Sequence, residues 1–229
     1  MKRKINLIAF FLFYLSCTAN IYAQKDNIED YSNASYLTIN TLSSLNTFSP
    51  RWRAGYIKNI NDKWKIGLDI GYGIRNLSFS GFGDKIGNDY QLWEIRPELY
   101  YILKPERKTK KYFSIELFYI NHTDVFFHEH YISKNKEYLS YNKANFKRYK
   151  YGFHLKYGFI IYSKKRLGFN LYSGLGLKIR NVIFSKVINP KIDLDYSERD
   201  MVIFDEYKGI EGSNFGVNLT LGFKLYYRL

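Results

Sequence analysis

Apolar and polar residues alternate without interruption over the last fifteen residues of the chain, 215–229. Because side chains two residues apart lie on the same face of a β-strand, this segment predicts a strand with one wholly apolar face. The predicted apolar face consists of Phe215, Val217, Leu219, Leu221, Phe223, Leu225, Tyr227 and Leu229. At about 3.3 Å per residue, such a strand is long enough to cross a bilayer at a tilt.

Seven further segments show a similar alternation, and residues 64–75 are the clearest of them. Together the pattern predicts eight strands, at residues 36–42, 50–60, 64–75, 90–102, 112–123, 147–161, 168–183 and 215–229. Pro97 falls inside the fourth segment. Because proline has no backbone N–H to donate to a sheet, its position predicts a bulge.

The connections between these segments are sorted by length. Residues 61–63, 104–111 and 163–167 predict short turns, whereas residues 79–89, 124–146 and 184–213 predict longer loops; the first connection, 43–49, is small. Outer-membrane barrels have short periplasmic turns and long extracellular loops. The sorting therefore favours an all-β fold, an eight-stranded antiparallel transmembrane up-and-down β-barrel, with both termini in the periplasm.

The start of the chain has the order of a secretory signal. Lys2, Arg3 and Lys4 precede an apolar run at residues 5–15, which is shorter than the roughly 20 residues of a spanning helix. Cleavage after Ala23 predicts a signal peptide at residues 1–23 and a single barrel domain at residues 24–229, exported to the outer membrane of a Gram-negative bacterium. It also removes the only cysteine, Cys17, whose lipidation is the alternative.

Composition agrees with this interpretation. Aromatic residues make up 19% of the chain, and rings with a polar tip collect at membrane–water boundaries. The net charge of +14 becomes +11 when the three basic residues of the signal are subtracted. Basic residues concentrate in two predicted periplasmic turns, and the largest outer loop is acidic. In an exported barrel this charge does not indicate a nucleic-acid partner.

Part of the chain resembles a known protein family. Segment 42–73 (LSSLNTFSPRWRAGYIKNINDKWKIGLDIGYG) looks like the opening hairpins of small exported outer-membrane β-barrel proteins with a domain of unknown function, of the eight-stranded class. The likeness continues through residues 96–101 (RPELYY) to the C-terminal strand. The resemblance implies the barrel fold and supplies no catalytic residues.

The polar faces of the predicted strands form the candidate functional site, a lumen network. It comprises Arg53, Lys65, Asp69, Arg75, Glu94, Arg96, Glu98, Glu116, Arg148, Lys150, His154, Lys156, Lys178, Arg180 and Lys224, with Arg228 at the end. Buried charges must be paired or hydrated, so a salt-bridged, side-chain-filled core is the first interpretation. A narrow channel for small anions is the alternative, because basic groups outnumber acidic ones.

Other classes of function have weaker support. A lipid-modifying enzyme would need a nucleophile near the rim, and no serine lies in a recognisable nucleophile elbow. A soluble lipocalin-type barrel would reverse the two faces. The histidines of the segment 128–130, with His122 or Asp124, have metal-ligand chemistry, but a solvated loop is the simpler interpretation.

We therefore expect no enzyme, cofactor or metal, and a structural or surface-interaction role. Loops 124–146 and 184–213 are the predicted contact region for an unknown extracellular ligand, because recognition commonly resides in loops. The other expected partners are outer-membrane lipid around the barrel and the barrel-assembly machinery, which would bind the C-terminal strand.

Overall fold

The computed structural model describes residues 34–46, 49–75, 86–107, 109–162, 166–193 and 209–229. The predicted signal peptide with Cys17, most of loop 79–89 and the acidic stretch 194–208 lie outside these residues. The described residues form nine strands: β1 (Ser35–Asn40), β2 (Trp52–Asn59), β3 (Trp64–Ile74), β4 (Gln91–Ile102), β5 (Thr109–Ile132), β6 (Tyr138–Tyr162), β7 (Leu167–Ile188), β8 (Lys191–Ile192) and β9 (Gly212–Arg228). None of the helical residues in these ranges forms a helix long and apolar enough to cross a membrane.

Eight of these strands form a closed antiparallel ring. Its order is β1–β2–β3–β4–β5–β6–β7–β9, and β9 pairs back with β1. The short strand β8 pairs with the outer part of β6 and is not a member of the ring. The predicted all-β antiparallel fold with eight ring strands is therefore confirmed.

The ring has a regular stagger. Register pairs followed from Lys224 of β9 around all eight strands return to Asn214 of β9, a displacement of ten residues (224 minus 214). With usual strand spacings this displacement corresponds to a strand tilt of about 40° from the ring axis. The stagger places paired inward positions of successive strands along a spiral around the ring axis. Strand order alone does not reveal which inward positions lie next to one another.

The burial pattern is inverted relative to a water-soluble protein. Along β3, the residues from Lys65 to Gly73 alternate strictly between a buried inward position and an exposed outward one. The outward positions are apolar, as in Ile66 and Ile70, and the inward positions are polar or glycine. The same inversion holds along β4, where Glu94 is buried and Trp93 is exposed.

Loop 124–146 was predicted wrongly, because these residues extend β5 and β6 into a hairpin. The hairpin is paired as far as Ile132 and Tyr138, and its turn is closed by hydrogen bonds between Ser133 and Glu137. We call residues 124–146 the hairpin extension. His128 has a left-handed backbone with φ 54°, and the β6–β7 register shifts between Lys143 and Asn145. These irregularities switch which positions face inward, and they break the alternation that reveals strands in a sequence.

Loop 184–213 is also partly strand, since β7 continues to Ile188 and β8 follows it. The bulge predicted at Pro97 is absent. The β4–β5 pairs Ile95–Tyr119 and Glu98–Glu116 lie on either side of Pro97 in the same register. Proline removes one donor from the sheet, but a missing hydrogen bond does not require an extra residue.

Candidate functional site

Most of the predicted lumen residues lie inside the ring. Those that are buried are Arg53, Lys65, Asp69, Glu94, Arg96, Glu98, Glu116, Arg148, His154, Lys156, Arg180 and Lys224. Lys150, Lys178 and Arg228 are partly exposed. Arg75 was predicted wrongly: it lies just after the end of β3, is exposed, and its guanidinium donates to the side-chain carbonyl of Asn88.

The closing strand has the predicted two faces. Phe215, Val217, Leu219 and Leu221 are 65–75% exposed, and Leu225 and Tyr227 are exposed to a lesser degree. Phe223 is partly buried, and its ring stacks against Phe169 of β7.

One carboxylate, that of Glu94, gathers three arginines at the centre of the ring. Arg51 Nε lies 2.6 Å and Arg53 Nε 2.7 Å from Glu94 Oε1, and Arg96 Nε lies 2.8 Å from Oε2. Arg96 also donates to Glu116 Oε1 at 2.7 Å. Arg51, which immediately precedes β2, was absent from the predicted network. Its position two residues before the inward-facing Arg53 nevertheless identifies it as inward-facing.

The carboxylate of Glu116 links the next groups. His154 Nδ1 lies 2.9 Å from Glu116 Oε1, and Lys156 Nζ pairs with Oε2. The other ring nitrogen of His154, Nε2, lies 2.6 Å from the amide nitrogen of Asn218. Nδ1 therefore acts as donor and Nε2 as acceptor, which is the pattern of a neutral imidazole.

A third group of ion pairs surrounds Lys224. Its ammonium lies 2.7 Å from Asp69 Oδ2 and 3.2 Å from Glu98 Oε2, while Lys156 lies 3.3 Å from the same Glu98 oxygen. Carboxylate oxygens of Asp69, Glu98 and Glu116 lie within 4.8 Å of one another. Three cations, those of Arg96, Lys156 and Lys224, already pair with these three carboxylates.

A layer of tyrosines fills the end of the ring where β1 begins and β9 ends. This tyrosine layer comprises Tyr36, Tyr100, Tyr112, Tyr172 and Tyr226, packed with Ile57, Ile102 and Ile160. Hydrogen bonds from Tyr112 to Asn170 (3.0 Å), from Asn170 to Tyr226 (2.8 Å) and from Asn40 to Tyr172 (2.9 Å) tie the rings together. The composition predicts aromatic residues at the membrane boundary, whereas these rings lie inside the ring. Tyr172 has the same parity as the inward Arg180 on β7, and Tyr226 the same parity as the inward Lys224 on β9, so the alternation indicates an inward position for both.

At the opposite end, the hairpin extension carries an aromatic cluster. Tyr131 stacks on Phe184 of β7 at 4.4 Å between ring centres, and Tyr141 packs against both. Burial raises the pKa of the Tyr141 phenol above its ordinary value. Glu211, just before β9, donates its N–H to the carbonyl of Ile132 at 2.9 Å. The extension therefore reaches from β5 and β6 to the start of β9.

Among the described residues, His122, His128 and His130 do not belong to a group of three side chains that could share a metal ion. His130 Nε2 lies 2.9 Å from Asp193 Oδ2, and His128 is exposed at the left-handed position. His122 is fully buried between Tyr90 and Phe146, and its Nε2 lies 3.6 Å from Asp124, beyond hydrogen-bond distance.

A cleft of about 700 Å³ beside Asp124 has mixed charge, with Arg75, Asp89 and Lys147 in its lining.

Charge is divided between the two sides of the interior. Within the part of the chain that the structure describes, every carboxylate of the network lies on β3, β4 or β5, and β6, β7 and β9 contain no aspartate or glutamate. We call the inward faces of β6, β7 and β9 the cationic wall. Within it, Lys150 lies directly opposite Arg180 across the two strands, and Arg148 and Lys178 occupy the neighbouring inward positions.

Comparison with known families and proteins adds no assignment. No family model matches the chain, and no curated protein matches it. The resemblance of segment 42–73 to small exported barrels stays a prediction.

Proposed function

We propose that this chain is an integral outer-membrane β-barrel with a structural or surface-interaction role and a lumen filled by polar side chains. The observation that carries the proposal is the inverted burial of the ring. Leu219 is 75% exposed on the outside, whereas Glu94 is 0% exposed on the inside. In water this arrangement would expose a large apolar surface and bury charge, both of which are unfavourable.

The dimensions of the apolar surface support a membrane location. Along β3 the outward apolar positions run from Trp64, which is exposed, to Ile74, which is partly buried. With a strand tilt of about 40°, this length gives a belt about 25 Å tall, which is the height of the apolar band of transmembrane barrels. Closure of the ring also gives each ring strand a partner on both sides over part of its length, which reduces the open backbone edge that hydrocarbon disfavours.

The filled interior favours a structural role over the alternative of a narrow channel. The arginine and lysine groups of the central network are held by Glu94, Glu98 and Glu116, and the tyrosine layer lies across one end. A lipocalin-type barrel is disfavoured by the same faces, since its apolar side would be inside.

The hairpin extension is the proposed contact region, together with the end of β7. It stands beyond the end of β4, is stiffened by its aromatic cluster, and presents exposed side chains such as Phe127 and Glu129. In this proposal residues 109–123 of β5 and 147–162 of β6 cross the membrane. The short turns lie in the periplasm, and β9 is the strand that the assembly machinery binds.

Two measurements test the proposal. The purified chain should require detergent for solubility and should migrate differently on a gel before and after heating, as a folded barrel does. In planar bilayers it should give no stable conductance steps. A monomer that is soluble without detergent would contradict the membrane location, and stable anion-selective steps would favour the channel alternative.

A further inference from the structure

The cleft of about 700 Å³ beside Asp124 lies where the hairpin extension leaves the ring. It is lined by the end of β3, by the residues that lead into β4, and by short stretches of β5, β6 and β7. Gln91 and Thr123 form the outermost β4–β5 pair, and the hairpin extension begins at the next residue. Small-molecule sites usually have volumes of about 300–1,000 Å³, so the cleft is large enough to hold such a ligand.

The floor of the cleft is a polar patch made by two neighbouring rows of paired residues. Side chains that are paired across a sheet lie on the same face, as do residues two apart along a strand. The patch comprises Val125, Asn145 and Ser185 in one row, and Gln91, Thr123 and Lys147 in the next. Two residues further along β4 and β6, the same face carries Trp93 and Tyr149, so the patch borders the belt of outward apolar residues.

One wall of the cleft is fixed by hydrogen bonds within the protein. Gly87 N–H donates to Asp124 Oδ2 at 2.9 Å, and Val125 N–H donates to the other carboxylate oxygen at 2.8 Å. Asn88 N–H donates to Val125 O at 3.2 Å, and its side-chain carbonyl accepts from the Arg75 guanidinium. A Cβ atom on Gly87 would lie 2.3 Å from Asp124 Oδ1, so only glycine allows this approach. The wall is therefore preformed, which reduces the entropic cost of binding.

Charge in the lining of the cleft is balanced. Arg75 and Lys147 are basic, and Asp89 and Asp124 are acidic. A ligand with a net charge of either sign would therefore meet a like charge as well as an opposite one. The other polar side chains of the lining are amides and hydroxyls, those of Asn88, Tyr90, Gln91, Thr123, Asn145 and Ser185. Amides and hydroxyls both donate and accept hydrogen bonds, as the hydroxyl groups of a sugar do.

We propose that this cleft binds an uncharged saccharide, and the inference rests on the proposed function, in which the hairpin extension belongs to the contact region. The sugar hydroxyls exchange hydrogen bonds with the amides of Gln91 and Asn145 and with the hydroxyl of Ser185. Ile74 and Val125 provide apolar contacts for the C–H groups of the sugar ring. Because the patch borders the apolar belt, the sugar belongs either to a free oligosaccharide or to the head group of a glycolipid.

The test is binding of the folded barrel to an array of neutral, acidic and amino oligosaccharides. The barrel is kept in lauryldimethylamine oxide, because maltoside detergents carry a sugar themselves. Digalactosyldiacylglycerol in the same micelles tests the glycolipid source, with dioleoylglycerol as the ligand that lacks the sugar. We expect saturable binding of a neutral oligosaccharide or of the glycolipid. Binding confined to charged sugars, equal binding of dioleoylglycerol, or no binding in either assay would overturn the proposal.

Variants locate the site. Gln91→Ala and Asn145→Ala should each weaken binding by about fivefold, the usual effect of one lost hydrogen bond between uncharged groups. Ser185→Trp should fill the cleft and abolish binding. Asn142→Ala is the matched control for Asn145→Ala, because Asn142 is an exposed amide of the same strand outside the cleft lining. An equal loss from Asn142→Ala, or full binding by Ser185→Trp, would overturn the proposed location.

A deletion separates the base of the hairpin extension from its tip. The described lining residues all lie outside 127–143, so a protein in which Asn-Gly replaces these residues should keep its affinity for the saccharide. Loss of binding by a shortened protein that still folds would place the site at the tip and overturn the assignment to the cleft.

A check on folding separates this inference from the proposed function. Each variant is first tested for the heat-dependent gel shift of the parent barrel. Absence of the shift in the parent chain would count against the membrane barrel itself. A shifted parent that binds neither the oligosaccharides nor the glycolipid would count against the saccharide site alone.

Discussion

The two halves of the ring interior manage charge differently. On β3, β4 and β5 the inward positions carry Asp69, Glu94, Glu98 and Glu116, and each of these carboxylates lies against at least one cation. On β6, β7 and β9 the inward charges are all basic. Cations from the second half complete the network of the first, as Lys156 and Lys224 do. The positions of the carboxylates therefore determine which part of the interior is held together by ion pairs.

The contrast extends to exposure. Glu94, Glu116 and Lys156 in the central network are almost inaccessible, whereas Lys150 and Lys178 on the cationic wall are partly exposed. A fully paired, buried network rigidifies a protein interior, because removal of one member leaves another charge without compensation. A partly exposed cation is screened by solvent, so its removal costs less. The first half is therefore expected to contribute more to stability than the second.

The largest expected effect comes from removal of the carboxylate that three arginines share. Glu94→Gln keeps the shape of the side chain but leaves Arg51, Arg53 and Arg96 around a neutral amide. We expect the free energy of unfolding to fall by about 3–5 kcal/mol, the usual cost of breaking a buried ion pair on one side. Urea titration in lipid vesicles, followed by tryptophan fluorescence, measures the change.

Lys178→Met is the matched control for Glu94→Gln, since it removes one charge from the opposite wall. Its unfolding free energy should stay within about 1 kcal/mol of the parent protein, because the lysine is partly exposed. Equal losses for the two variants would remove the distinction between the two halves.

The second effect in size distinguishes the inside of the ring from its outside. Leu221 is 69% exposed on β9, whereas its neighbour Thr220 faces the interior. Leu221→Arg should destabilise the folded protein by about 2–4 kcal/mol near the bilayer midplane. Thr220→Arg places the same charge on the partly exposed inward side of β9 and should change stability much less. The same vesicle titration applies, and similar losses would contradict the assigned faces.

How far the sequence predicts this molecule depends on the regularity of each strand. The faces of β3 and β9 follow directly from alternation, because one side of each strand contacts a different environment from the other. The hairpin extension was missed since His128 and the irregularity near Asn145 reverse the inward parity there. Beyond the belt of outward apolar residues, moreover, the outward side need not be apolar.

The central network was predictable as a set of residues but not as a set of partners. Glu94 lies on β4, yet it pairs with Arg53 of β2, two strands away, and with Arg51, which immediately precedes β2. Lys224 of β9 likewise reaches Asp69 of β3. These meetings depend on the ten-residue stagger of the ring and on side-chain length across its interior. Both are properties of the closed structure, which local patterns do not contain.

A smaller effect is expected at the border of the two halves, where the hairpin extension rises from β5 and β6. Phe126 and Ala144 are directly paired, so residues 127–143 can be replaced by Asn-Gly as a two-residue hairpin loop. Because the ring pairing below this level is untouched, the shortened protein should keep its heat-dependent gel shift and lose at most about 1 kcal/mol. Failure to assemble would show that the extension supports the ring itself.

The smallest effect, and the one that sharpens the comparison most, concerns Lys150. It lies directly opposite Arg180, and like charges at paired positions of a sheet are destabilising by roughly 0.2–1 kcal/mol. Lys150→Met relieves that repulsion but loses the hydrogen bond to Asn218, so the two changes should nearly cancel in lipid-free micelles. Thermal unfolding of the parent protein and the variant measures this difference. A Lys150→Met variant that is as unstable as Glu94→Gln would place Lys150 within the central ion-pair network.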